Sequence, residues 1–304
     1  MCLISFITIN YNGLKDTCEL IESLPRCTEY EIIVVDNASA TDEATAIACR
    51  YPYVKIVRSQ QNLGFAGGNN LGIKAAQGRY LFFINNDTVL KGSDEEKQAS
   101  LQELTKILQS SDKIGLVCPK IRFAWGDNPI QFAGYTPLSK ITMRNRSIGF
   151  GEDDRGQYNR PHPTPYAHGA AMMAKREAIT RVGLMPECFF LYYEEIDWSE
   201  MFTRAGYEIW YSPACTIYHK ESKSTGQNSP LRTYYITRNR LLFAKRNIDF
   251  FFYRWLTYCY LIALVAPRDM LLYAFRRQSA LCKAICMGIT DFMRFRTGFK
   301  DFRK

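Results

Sequence analysis

The stretch EIIVVDNAS, residues 31–39, decides the fold. Ile32, Ile33, Val34 and Val35 form an apolar run without alternation, as in a strand buried on both faces. An acid and an amide, Asp36 and Asn37, follow at once. The same pattern recurs on either side. Residues 3–9 form a β-rich apolar run closed by Asn10-Tyr11-Asn12-Gly13. Residues 54–57 make a third short strand, and YLFFI, residues 80–84, makes a fourth closed by Asn85-Asn86-Asp87. Between them lie helical stretches: one over 14–24, one capped by Ser39 or Thr41 and ending near Arg50, and one entered through a Gly/Asn turn at 61–70. Four alternations of strand and helix predict an α/β fold with a mainly parallel central sheet and right-handed crossovers. In such sheets ligands bind outside the carboxyl ends of the strands. Each strand here turns polar at that end.

Farther along, residues 93–110 read as a polar amphipathic helix and 114–118 as a strand. Residues 122–165, rich in Gly, Asp, Pro and Arg, read as long loops suited to facing an acceptor. A small-residue strand is expected over 169–174, and helices over 175–182 and 194–205. Two short strands, 209–211 and 216–218, flank Pro213. From about Leu231 the pattern is helical.

Charge divides the chain. Residues 236–304 hold fourteen Lys and Arg against four Asp, a net of +10, whereas residues 1–235 have a net of −1. A basic segment this rich in aromatic residues suits an anionic membrane surface better than a nucleic-acid groove. A solvated helical appendage is the plain alternative. Its longest apolar run, LTYCYLIALVAP at 256–267, is shorter than the roughly 18 residues a spanning helix needs, so it is expected to lie in the interface or be buried. The N-terminus lacks the features of a signal peptide. Ten scattered cysteines without a CxxC pair suggest reduced thiols in a cytoplasmic protein.

Several residues carry chemistry. Asp36 can accept a hydrogen bond from a pyrimidine N3–H or a ribose hydroxyl, or serve an Asx turn with Asn37. The 61–70 segment lacks GxGxxG and follows the third strand, which argues against a dinucleotide site. Its glycines permit close approach of the backbone to a ligand. Asn85, Asn86 and Asp87 offer oxygen ligands suited to Mg²⁺ or Mn²⁺ on a diphosphate, or form an ordinary turn. Glu194, Glu195 and Asp197 follow the aromatic run 189–193. Carboxylates crowded beside apolar bulk make a tunable general base, and they also suit a helix N-terminus. His219 ends a strand and is either a metal ligand or a polar strand end. His162 and His168 are assigned no role.

Taken in order, these pieces resemble a known family. They are VVDNAS at 34–39, NLGFA at 62–66 with Asn69-Asn70, NND at 85–87 and GAAM at 169–172. Gly183-Leu184, FFLYYEEIDW at 189–198, RAGY at 204–207, Tyr218-His219 and YYITRNR at 234–240 complete the set. The ordered set is similar to family 2 of the inverting GT-A glycosyltransferases, most of all its rhamnosyltransferase-like branch, which builds bacterial surface polysaccharides. The likeness spans residues 3 to about 246. It implies a GT-A domain over 1–235 and a basic, aromatic helical extension over 236–304.

The resemblance also implies roles. Asp36 would bind the base of a UDP- or dTDP-sugar, with Asn37, Asn62, Gly64 and Asn69 completing the donor contacts. Asn85 and Asn86 would line the sugar-diphosphate site. Asp87 would hold Mg²⁺ or Mn²⁺, joined by His219. Glu195 would be the base, with Glu194 and Asp197 orienting it or the acceptor. The acceptor would be a glycan or lipid-linked hydroxyl, the enzyme peripheral at the inner membrane face, and nucleic acid no partner. Two positions depart from the family's usual pattern: Asn85 and Glu195 each stand where Asp is frequent. A nucleotidyltransferase would want a Gly-rich loop with a basic residue after the first strand, which Asn10-Tyr11-Asn12-Gly13 lacks. A non-catalytic sugar- or nucleotide-binding protein on the same fold is the other alternative, and the intact Asp87, Glu195 and His219 speak against it.

Overall fold

A computed structural model describes residues 3–221 and 229–300. Its first half alternates β1 (Ile4–Asn10), α1 (Leu14–Ser23), β2 (Tyr30–Asp36), α2 (Glu43–Arg50), β3 (Lys55–Arg58), α3 (Gly64–Ala75) and β4 (Tyr80–Ile84). A two-residue strand β5 (Thr88–Val89) and helix α4 (Asp94–Gln109) follow. Then come β6 (Ile114–Phe123), β7 (Ile130–Phe132), β8 (His162–Pro163), β9 (Ala171–Lys175), α5 (Arg176–Val182), α6 (Glu194–Arg204) and β10 (Glu208–His219). The sheet runs β3-β2-β1-β4-β9-β6-β10-β5, with β7 beside β6 and β8 beside β10. β3, β2, β1 and β4 are parallel, whereas β9 is antiparallel to both β4 and β6.

Burial follows from the sequence pattern. Residues 32–35 and 80–84 are buried because helices cover both faces of the sheet. Trp198 on α6 meets Phe83 on β4 edge to face, with ring centroids 5.5 Å apart. α3 lies close on β1: a Cβ on Gly72 would sit 2.3 Å from Ile7 Cγ2. This glycine, beyond the 61–70 turn, serves helix–strand packing. α2 is capped by Asp42, whose side chain accepts from the Thr45 N–H, and not by Ser39 or Thr41.

The two strands expected around Pro213 are one. β10 continues through a register shift between Ser212 and Thr216, where its partner β6 advances by a single residue. The irregularity accommodates the proline without ending the strand.

The C-terminal part begins with α7 (Pro230–Asn247), so the expected boundary at 235/236 falls inside a helix. Asp197 at the start of α6 explains why α7 belongs to both parts. Arg246 Nε lies 3.1 Å from each Asp197 oxygen, and Asn247 Nδ2 donates to Oδ1 at 2.6 Å. After α7 come α8 (Phe251–Cys259), α9 (Ala266–Phe275) and α10 (Ser279–Met293), the last packed along α7. α8 and α9 are joined by a π-helical turn over Tyr260–Val265. Residues 251–275 thus form one continuous helix, long and apolar enough to cross a membrane by length and composition. That corrects the reading of 256–267 as an isolated short run. Pro267 stands in the first turn of α9, where a missing N–H is tolerated, and the widened turn before it keeps the rod unbroken.

Candidate active site

Three parallel strands bring their polar ends into line. Asn10 on β1 is paired with Asp36 on β2, and Ile7 is paired with Phe83, so Asn86 lies level with Asn10. Asp36 Oδ1 accepts from Asn10 Nδ2 at 3.0 Å and from Ser39 Oγ at 2.6 Å. These bonds fix the carboxylate at the strand end. Asn86 Nδ2 donates to Thr17 Oγ1 at 3.0 Å, tying the β4 loop to α1. Asn85 is held by its backbone, with its N–H on the Ala170 carbonyl at 2.9 Å.

Other expected donor contacts are spent inside the protein. Asn37 donates to Asn62 Oδ1 and to the Gly64 carbonyl, both at 3.1 Å, and accepts from the Leu63 N–H. Asn62 Oδ1 also accepts from the Gly64 N–H at 2.9 Å. Asn69 is buried and donates to the Phe65 carbonyl within α3. Gly64 has φ +70°, and a Cβ there would lie 2.1 Å from the Phe190 carbonyl oxygen. Asn37 and Asn69 thus make side-chain bonds within the protein, and Gly64 leaves space for Phe190. They rivet the β2 end to α3 and make room for the 190 loop.

Asp87 and His219 come together across β5 and β10, with Nε2 and Oδ1 3.2 Å apart and both side chains buried. His219 Nδ1 lies 2.8 Å from Gln131 Oε1, so Nδ1 carries the proton and donates. An Nε2 without a proton would present a lone pair toward the Asp87 carboxylate. Two acceptors facing each other fit a cation between them. Among the described residues no group of three or more His, Cys, Asp and Glu side chains forms a metal site. Any ion held by Asp87 and His219 would draw its remaining ligands from a bound diphosphate or water.

Glu194 and Glu195 begin α6 after an unusual loop. Phe190, Tyr192 and Tyr193 all have positive φ, at 68°, 68° and 78°. Bulky residues rarely adopt that conformation, which costs on the order of 1–3 kcal/mol each and persists only where surroundings over-determine it. Asn239 on α7 supplies much of that constraint, its Nδ2 lying 3.1, 2.8 and 2.8 Å from the carbonyls of Phe189, Leu191 and Tyr192. Arg238, fully buried, donates to the Phe189 carbonyl at 2.7 Å and to the Gly298 carbonyl at 2.8 Å. The loop delivers Glu195 against Gly169, whose Cβ position would lie 3.7 Å from Glu195 Cγ. Burial pushes the Glu195 carboxyl up to about 7. Burial and the charge of Glu195 hold Glu194 well above the usual carboxylate range, and its Oε2 has no hydrogen-bond partner among the described residues. Both carboxyls are held up by burial, and each disfavours the charge of the other, so the two titrate as a pair.

Residues 5–183 match the family described as Glycosyl transferase family 2. The chain belongs to that family. A low-salt glycan biosynthesis hexosyltransferase of Haloferax volcanii is 28% identical over 242 residues, covering 79% of this chain and 74% of the relative. An N-acetylglucosaminyl-diphospho-decaprenol L-rhamnosyltransferase of Mycobacterium tuberculosis is 22% identical over 238 residues, covering 73% and 77%. Among solved structures, GalNAc-T7 with UDP, GalNAc and Mn²⁺ superposes with a TM-score of 0.64 at 15% identity, over 97% of this chain and 57% of that one. The mannosyltransferase PcManGT of Pyrobaculum calidifontis with GDP-Man and Mn²⁺ gives a TM-score of 0.54 at 15% identity, over 95% and 86%. These likenesses establish the GT-A fold.

In this family 2 glycosyltransferase the family match ends before Glu194, Glu195 and His219, so their placement rests on the geometry above. Sequence reasoning gave no roles to Arg238, Asn239 and His168. The first two stand in the YYITRNR segment, whose lack of an apolar stripe was the available signal. His168 stacks on Tyr135 at 8° between planes and meets Phe132, with ring centroids 5.9 and 5.1 Å away. Burial, aided by nearby His219, drives its pKa down to about 3, so it stays neutral beneath the Gly169 corner. We expect Asn239→Ala to leave the Leu191 and Tyr192 carbonyls without this donor, Phe189 keeping Arg238, and to destabilise the fold by about 2 kcal/mol. Urea unfolding measures this; a loss below about 1 kcal/mol would show that the loop holds itself.

Proposed function

We propose that this protein transfers a sugar from a nucleoside-diphosphate donor to an acceptor hydroxyl with inversion, and that Glu195 is the base. The observation that carries the reading is the placement of Glu195, a carboxylate with a raised pKa, against Gly169 next to the Asn85 loop that leads to Asp87 and His219. Asp36 would accept a hydrogen bond from the base of a UDP- or dTDP-sugar. A divalent ion, Mg²⁺ or Mn²⁺, held by Asp87 and His219 would neutralise charge on the diphosphate. Glu195 takes the proton of the acceptor hydroxyl, whose oxygen forms a bond to the anomeric carbon. The bond from that carbon to the diphosphate oxygen breaks, and the nucleoside diphosphate leaves from the opposite face. Asp197 acts through position: clamped by Arg246 and Asn247, it sets the first turn of α6 on which Glu195 rides. The relatives' names, a glycan-biosynthesis hexosyltransferase and a rhamnosyltransferase, support hexosyl or rhamnosyl transfer.

The pH dependence follows from the raised carboxyls. Glu195 works only when ionised, so kcat/KM should rise with pH to a plateau with an apparent pKa near 7. Stability runs the other way. Both groups have folded-state pKa values above their unfolded ones. Their contribution is fully present below the ordinary carboxylate range and is lost as pH rises through the raised values, about 7 for Glu195. Thermal unfolding in the absence of ligands should show Tm falling over that window, and Glu194→Gln should flatten the slope. An acidic limb near 4.5 would remove the case for a buried base.

We also propose that residues 251–275 lie in an anionic membrane interface on the cytoplasmic side. Phe251, Leu264, Leu271 and Phe275 are 72%, 64%, 72% and 91% exposed, Arg254 and Arg268 punctuate the rod, and Arg276 and Arg277 follow its end. Its other face packs on the domain through Leu261 and Val265, which supports lying flat over crossing. The full chain should co-sediment with anionic vesicles at low salt. Phe251→Glu, Leu271→Glu and Phe275→Glu together should weaken that at least about tenfold, since each buried apolar side chain contributes roughly 1.5–3 kcal/mol. Equal sedimentation of this variant would rule out the rod as the contact.

A further inference from the structure

A cavity of about 450 Å³ opens beside Glu195. One wall is the 143–145 loop with Tyr192 and Tyr193, another is α7, and the far wall is the inner face of the same rod that carries the exposed apolar residues. Its chemistry is divided. Its lining includes three guanidinium groups, Arg144, Arg232 and Arg240. It also includes apolar side chains, Leu261 and Val265 of the π turn and Ile285 and Ile289 of α10. Among the lining residues only Glu195 and Asp269 carry carboxylates, and Asp269 is engaged by Arg268 at 2.7 Å.

Two lining residues hold unmade hydrogen bonds. Arg240 is 6% exposed; its Nη2 donates to the Thr142 carbonyl, and its Nε has no partner among the described residues. Asn145 Nδ2 is likewise buried without a partner. A buried donor left unpaired costs about 1–3 kcal/mol, more when it is charged. A polyanion is the ligand that recovers this: its oxygens accept from guanidinium and amide donors, and it balances the excess of arginine.

Resting on the glycosyl-transfer reading above, we propose that this cavity binds the acceptor as a diphosphate-linked sugar carrying a long apolar chain. The diphosphate sits on Arg240, Arg144 and Arg232. It draws Arg240 and Asn145 into the bonds they lack in the free protein. The sugar hydroxyl reaches Glu195. The chain leaves along Leu261, Val265, Ile285 and Ile289, and passes from the inner to the outer face of the rod, where Leu264, Leu271 and Phe275 meet the bilayer. This gives the C-terminal helices a double purpose: one face holds the acceptor's chain and the other holds the membrane it comes from.

The test uses the full chain with EDTA present, so that metal-assisted diphosphate binding at Asp87 and His219 does not compete. Binding of farnesyl diphosphate, inorganic pyrophosphate and farnesol is measured by calorimetry below the micellar range. Farnesyl diphosphate should bind at least tenfold tighter than either half. Arg240→Met should weaken it at least tenfold and Arg144→Gln at least threefold, with farnesol binding unchanged. Arg144 is exposed, so its variant keeps the fold and remains informative if Arg240→Met does not fold. Pyrophosphate binding as tightly as farnesyl diphosphate would assign the cavity to a free anion and overturn the proposal. Unchanged affinity in folded Arg144→Gln and Arg240→Met would overturn it too. A separate thermal shift with UDP and Mn²⁺ keeps the two readings apart: its absence counts against the donor site, whatever the cavity binds.

Discussion

Glu195→Gln lowers kcat by about 10³-fold while the stabilisation of the protein by UDP and Mn²⁺ stays intact. Gln keeps the volume and the polar atoms of Glu but cannot take up a proton, and a positioned general base contributes roughly 10²–10⁴-fold. Glu194→Gln is the matched control. Burial and the charge of Glu195 raise the Glu194 carboxyl well above the usual range, and an amide there mimics the protonated form they favour. Its kcat should fall less than about tenfold, and the acidic limb near 7 should stay in place. Steady-state kinetics on both variants decide between the neighbours. If Glu194→Gln were the inactive one, the base assignment would pass to Glu194 and the loop geometry would need another explanation.

Asp87→Ala abolishes the metal-dependent part of UDP stabilisation. A ligand present at 100 times its Kd stabilises a fold by about 2.7 kcal/mol, a shift of several degrees in a thermal melt. Without Asp87, His219 is left as the lone protein ligand, and that shift should drop to the level seen with EDTA. kcat/KM should fall by about 10³-fold or more, because several kcal/mol of charge neutralisation on the leaving diphosphate disappear. Gln131→Ala probes the same centre at one remove. Gln131 orients His219 through the 2.8 Å contact at Nδ1, and loss of such a partner weakens metal affinity by about 10–100-fold. Full metal-dependent stabilisation in Asp87→Ala would move the ion elsewhere.

The parts of the site legible in the sequence are those where chemistry follows a strand directly. Asp36 and Asp87 stand within three residues of the last apolar residue of β2 and β4, and the topology of a parallel sheet places such ends together. The legible parts stop where a side chain's partner is remote. Asn37 and Asn69 look like ligand contacts in a Gly/Asn-rich sequence, and the fold adds the protein partners of their amides, Asn62, Gly64 and Phe65. Only the fold reveals which polar groups are already satisfied. Pro267 looked like an end to the apolar run, and a π turn carried the helix through it.

The sequence by itself determined the α/β alternation, the parallel half of the sheet and the acidic residues at strand and helix starts. Those depend on local periodicity and turn chemistry, which neighbouring residues specify. Tertiary structure decided the pairing of His219 with Asp87, the clamp of Arg238 and Asn239 on a left-handed aromatic loop, and the cavity between α7, the rod and α10. Each of these joins residues far apart in the chain. Their energies come from burial, which removes water as the competing partner and makes a single distant hydrogen bond or charge decisive.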